Sequence, residues 1–124
     1  MALTRDFSLT VQARLRRDPA FRRALLSQAI ECMLGGELEV GKALLRDYVN
    51  GTQGFGALGA ATGKPVKSLM RMLGPNGNPQ AQNLFEIVAH LQKKEGIRLR
   101  ARPVARNRQP PRRSRVAKRR HARA

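Results

Sequence analysis

Along most of the chain apolar residues return every third or fourth position, the period of one face of an α-helix. One stretch carries Phe21, Leu25, Leu26, Ala29, Ile30 and Met33. A second carries Leu38, Gly41, Leu44, Leu45, Tyr48 and Val49, and a third carries Leu84, Ile87, Val88 and Leu91. No segment alternates β-branched and polar residues as a half-buried strand would. Punctuating residues mark the ends. Asp18-Pro19 joins an N-cap oxygen to a proline suited to the first helical position, and Asn78-Pro79 repeats that signature. Gly35-Gly36, Asn50-Gly51 and Gly96 read as stops. Ser8 offers a cap for a shorter helix over 7–17, and Glu37 opens the second stretch. The pattern predicts an all-α fold: a small bundle of about five helices over 18–97, preceded by an N-terminal segment, 1–17, holding the short helix.

The segment Phe55 to Pro75, FGALGAATGKPVKSLMRMLGP, has a distinct organisation. It divides into a helix over 55–62, a turn at Gly63-Lys64 and a second helix from Pro65 to Leu73, ended by Gly74. Two short helices joined at a glycine turn have the form of a helix-turn-helix. Leu58 is expected inside. Gly59, having no side chain, lets the second helix cross closely, and Gly63 can take the left-handed conformation that reverses the chain. Leu69 and Met72 are expected to return to the core. The same register leaves Val66, Lys67, Met70 and Arg71 outside, and the free N–H groups near Pro65 suit a phosphate.

Composition narrows the class. The 124 residues suffice for one compact domain. Hydrophobic residues make up 41% but aromatics only 4%, with no Trp, so the core must be aliphatic. Lys and Arg number 25 against 8 acids, a net charge of +17 that seeks a polyanion. Twelve of the 25 lie after Ile97, where no acid occurs. The segment 98–124 is rich in Arg and Pro without an apolar period, and is expected to be disordered in isolation. Its cations (Arg98, Arg100, Arg102, Arg112, Arg113, Arg115, Lys118, Arg119 and Arg120) could supply sequence-independent affinity for nucleic acid. A membrane-surface role is disfavoured by the lack of an apolar face, and a merely solubilising terminus is the third reading. One Cys excludes a disulfide framework. No apolar run reaches membrane-spanning length and no secretion-type leader is evident, so a cytoplasmic, nucleoid-associated protein is expected.

Nothing in the sequence assembles an active site. Cys32 lies among Ile30, Met33 and Leu34 and is expected to be a buried thiol. His90 has no second ligand at metal spacing, and His121 lies in the basic tail. Gly54-Phe55-Gly56 lacks the strand before it and the Gly-Lys-Ser/Thr after it that a phosphate loop needs. Glu37 and Glu39 suit a helix start. No enzyme, cofactor or metal is expected.

The stretch LGAATGKPVKSLMRMLGPNGNPQAQNLFEIVAHL resembles the helix-turn-helix of Cro/repressor (XRE) type regulators, and most of all the addiction-module antidote (antitoxin) proteins. Leu58, Gly59, Gly63, Leu69, Gly77-Asn78-Pro79 and Leu84-Ile87-Leu91 stand where that pattern wants them. The resemblance runs from Asp18 to about Ile97. It departs at Lys64, where Val or Ile is usual, and at Gly59, where Ala is commoner. It implies a DNA-binding transcriptional regulator that binds double-stranded DNA as a homodimer, a repressor or autoregulator, with the second helix in the major groove. Lys67 and Arg71 would then meet bases or phosphates, Ser68 a phosphate or base edge, and Val66 or Met70 a thymine methyl. Lys64 and the Asn76–Asn78 loop, with Asn76 and Asn78 at its ends, would touch backbone phosphate. Without the motif, Lys67 and Arg71 read simply as a solvated helix face. Phe85 could serve a dimer surface or lie in the core. Two alternatives stand beside this reading. One is an antitoxin that acts mainly by covering a small RNase toxin, through the helices at 7–50. The other is a non-specific nucleoid or RNA-binding protein.

Overall fold

The computed structural model describes residues 5–106. Six helices follow in order: α1 (Arg5–Arg17), α2 (Pro19–Leu34), α3 (Leu38–Gly51), α4 (Gly54–Thr62), α5 (Val66–Met72) and α6 (Ala81–Glu95). Among the described residues there is no strand, and no helix is long and apolar enough to cross a membrane. The α2–α3 hairpin is the largest packing unit; α1 lies across both, α4 packs on α3 and α6, and α5 packs on α4. A single aliphatic core unites them, with Leu15, Leu26, Leu45, Leu58, Leu69, Leu73, Ile87 and Leu91 fully buried.

Local signals explain some helix ends and fail at others. Asp18 caps α2 as expected: its Oδ1 accepts from the Phe21 N–H at 3.1 Å, Pro19 follows, and the bonded carboxyl is held below its usual range, chiefly by that N–H. Ser8 does not cap α1, which starts three residues earlier at Arg5; its hydroxyl instead faces Asp47 on α3 at 3.4 Å. Nor is the N-terminal segment separate, since Leu15 is fully buried and abuts Gly51 on α3. Asn78-Pro79 does not launch α6. Gln80 is its N-cap, and Asn78 and Pro79 belong to a non-helical link from α5. Proline's fixed φ serves an extended link as well as a helix start.

The body also continues past Ile97. Ile97 and Leu99 pack on the core, and the Leu99 N–H donates to Gln92 Oε1 at 2.7 Å, so the boundary expected at 97 lies at least two residues later. Arg112, Arg113, Arg115, Lys118, Arg119 and Arg120 lie outside the described residues. Cys32 is half-buried rather than sealed in, with Sγ 3.7 Å from the Gln28 amide.

Asp47 is a buried carboxyl on α3. Burial pushes its pKa up, opposed by Ser8, Gln12 and Arg46. A raised pKa means that the folded chain holds this proton more tightly than the unfolded chain. The cost of the buried charge is therefore present at neutral pH and disappears as pH falls through the raised value. Asp47→Asn is expected to melt at or above the wild-type temperature at pH 7 and to lose that margin near pH 4. A margin that grows towards acid would contradict the sign.

Candidate nucleic-acid interface

The α4–α5 unit is built by two glycines. Gly63 closes α4 in the left-handed conformation, φ 71° and ψ 21°, and both its N–H and that of Lys64 return to the Gly59 carbonyl, at 2.9 and 3.2 Å. Gly59 is the crossing point: a Cβ there would lie 2.8 Å from the Lys64 carbonyl oxygen and 3.3 Å from Val66 Cγ2. Alanine at this position would thus press on backbone. Pro65 lies one place outside the expected helix: with ψ 141° it is the N-cap, and its carbonyl accepts from the Leu69 N–H at 3.0 Å.

α5 is two-faced. Leu69 is fully buried, joined by Leu73 just beyond the helix, while Met72 is only half-buried. Val66, Lys67, Met70 and Arg71 are exposed, and their i, i+1, i+4, i+5 spacing gathers them on one side. Ser68 is half-buried at the margin of that face. Asn76 and Asn78 are exposed on the following loop.

Lys64 sits differently from the expectation of a cation aimed at phosphate. Its ammonium pairs with Glu86 Oε1 at 2.7 Å and donates to Asn83 Oδ1 at 3.1 Å, both on α6, and its side chain is mostly covered. That bond is the main reason the Glu86 carboxyl is held below its usual range. The lysine thus ties the turn to α6, a task that an aliphatic residue would perform by packing.

Two further basic side chains hold the other end of α5, and neither was singled out from the sequence. Lys42 on α3 is fully buried; its Nζ donates to the Gly77 carbonyl at 2.7 Å and pairs with Glu39 Oε2 at 3.0 Å. Arg46, one turn later, donates from Nη1 to the Leu73 carbonyl. The Leu73 carbonyl belongs to the C-cap of α5, where a cation is favoured, and Gly77 is a loop residue lying back against the Arg71 and Met72 carbonyls of that helix end. One signal was visible: Lys42 falls on the apolar stripe of its helix, between Gly41 and Leu45.

Of the described cations after α6, Arg98, Arg100 and Arg102 are exposed, and Arg100 and Arg102 are placed at another element, beside Glu31 and Leu34 at the end of α2. Phe85 is not core: it is 66% exposed on α6, across a groove from Ile30 and Leu34. Among the described residues no three His, Cys, Asp or Glu side chains come together as a metal-holding group.

The fold and site define a small all-α protein that presents a short, cationic helix anchored along its opposite side. No family model, curated protein or solved structure matches the chain. What the face can do follows from its own residues.

Proposed function

We propose that the protein is a sequence-specific double-stranded-DNA-binding transcriptional regulator, with α5 as its base-reading helix. The observation that carries this reading is that α5 is seated on α4 through buried Leu69 and held beyond both ends, by Lys64 before it and by Arg46 and Lys42 after it, while Val66, Lys67, Met70 and Arg71 stay exposed. A merely solvated helix face needs no such fastening. A reading helix needs it, because bidentate contacts to base edges tolerate little displacement. Arg71 and Lys67 suit guanine O6 and N7, while Val66 and Met70 suit a thymine methyl. Ser68, at the margin, suits a phosphate oxygen, as do Asn76 and Asn78.

The unit binds as a homodimer in this reading, two copies placing their α5 helices one helical turn apart. An exposed apolar set supports a second copy: Phe85 and Leu34 (74% exposed) border the α2–α6 groove, and Val104 (81% exposed) lines an adjoining hollow with Leu34. Such a patch is costly to leave in water.

Selection from a random duplex pool tests the proposal. Wild type is expected to enrich a two-fold symmetric motif. Arg71→Ala is expected to relax one position in each half-site and to weaken binding by about 1–3 kcal/mol, roughly 5- to 150-fold. A flat pool from wild type would reduce the protein to a polyanion binder, and an asymmetric single half-site would remove the dimer.

A further inference from the structure

The molecule carries a second concentration of positive charge at the end remote from α5. α1, α2, α3 and α6 converge there on a cavity of about 410 Å³. Four cations line it, Arg16, Arg22, Arg23 and Lys94, against the single carboxylate of Glu95. Glu95 forms the floor. Its side chain is 6% exposed; its two oxygens share the single Arg22 Nε–H, at 3.0 and 3.1 Å, and Oε1 also accepts from the Tyr48 hydroxyl. Arg22 is further fixed by donating from Nη1 to the Leu15 carbonyl at 3.0 Å. Arg23 reaches the same carboxylate only at 3.8 Å and is half exposed. Arg16 and Lys94 are exposed and have no acidic partner among the described residues.

One carboxylate, already engaged, leaves most of this charge uncompensated inside a concave site. The cavity lies within the size range of small-ligand pockets, roughly 300–1,000 Å³. Guanidinium groups bind phosphate oxygens bidentately, and while Arg22 is committed to Glu95 and the Leu15 carbonyl, Arg16 and Arg23 are exposed and can do so. We infer that this cavity binds a small polyanion with two or more linked phosphate groups, contacted by Arg16, Arg23 and Lys94 over an Arg22–Glu95 base.

The position of the cavity separates it from the proposed DNA face. Lys42 grips the end of α5, whereas Gly51, nine residues along α3, lines the cavity; Glu86 holds Lys64, whereas Glu95, nine residues along α6, is the cavity floor. Nine helical residues span about 14 Å in each case. Along both α3 and α6 the two sites therefore stand well apart, and the inference does not depend on what α5 reads.

Inorganic tripolyphosphate is the probe, added to the full chain. Tyr48 is the chain's only tyrosine and there is no Trp, so ultraviolet emission reports from the cavity wall, and the Thr52 amide resonance gives a second local readout. Tripolyphosphate is expected to shift both saturably. Arg16→Gln with Lys94→Gln, both exposed positions, should weaken this binding by about tenfold or more, while Lys67→Gln with Arg71→Gln leaves it unchanged. Equal affinity in wild type and the Arg16/Lys94 variant, or no saturable shift, would overturn the assignment. Adenosine triphosphate distinguishes the sources: tighter binding than tripolyphosphate identifies a nucleotide, equal binding a bare polyphosphate, and both uphold the site. A short duplex that shifts the Thr52 resonance, and does so less in the Arg16/Lys94 variant, would overturn it in favour of a nucleic-acid backbone contact.

Discussion

Gly77→Ala is expected to lower the melting temperature by more than about 10 °C. A Cβ at this position would lie 1.9 Å from the Arg71 carbonyl oxygen, 2.7 Å from that of Met72 and 2.9 Å from the Met72 carbonyl carbon. All three are backbone atoms at the C-terminal end of α5, so no side-chain rotation relieves the contact. Either the helix end or the loop must move, and movement of either strains the bonds from Lys42 to Gly77 and from Arg46 to Leu73. Overpacking of this kind costs about 3 kcal/mol, the upper end of the usual range, and each kcal/mol shifts the midpoint of a domain this size by roughly 4–8 °C. Gly56→Ala supplies the contrast. Gly56 is an exposed residue of α4 with nothing within 4 Å of its would-be Cβ. Alanine there should stabilise by up to about 1 kcal/mol through helix propensity alone. Opposite signs for two Gly→Ala changes, read by calorimetry or circular dichroism, would identify the Gly77 contact as the cause. A Gly77→Ala melt within about 2 °C of wild type would show that the loop yields freely.

What could be read in the sequence is what neighbours in the chain decide. The Asp18 cap, the Gly63 turn, the Gly59 crossing and the outward set of α5 each depend on residues within one or two turns, and each stands in the structure as its spacing implied. The supports of α5 were hidden because their partners are distant. Lys42 and Gly77 are 35 residues apart, Arg46 and Leu73 are 27, and no periodicity reports such a pairing. The same distance explains the failure at Asn78-Pro79. Once Lys42 holds the Gly77 carbonyl, the chain needs extended residues to reach α6, and that tertiary demand outweighs a local start signal. Phe85, left open between core and surface by its spacing, is outside because Leu84, Ile87, Val88 and Leu91 already fill the inner face of α6.

Truncating Lys42 should release α5 without touching a single outward-facing residue. Two effects oppose each other. Removing the ammonium relieves the cost of keeping a charge in a fully buried position. It also leaves the Gly77 carbonyl without its donor, which costs about 1–3 kcal/mol. Glu39 adds little to the balance, because its side chain is 65% exposed and its carboxylate hydrates once released. Methionine retains most of the volume, so Lys42→Met is expected to cost only about 1–2 kcal/mol. Alanine adds a void, and Lys42→Ala should cost about 2–4 kcal/mol. Both variants lose the latch, so the Gly74 and Gly77 amides, bonded at 3.1 Å to Arg71 and Gly74, should exchange with solvent faster in each. If α5 reads bases, both variants should also enrich a blurred motif from a duplex pool while keeping their affinity for bulk DNA, which depends on charge elsewhere. Unchanged exchange at Gly77 in Lys42→Met would mean that α5 is seated by Leu69 and Leu73 alone, and that the buried lysine plays no part in presenting it.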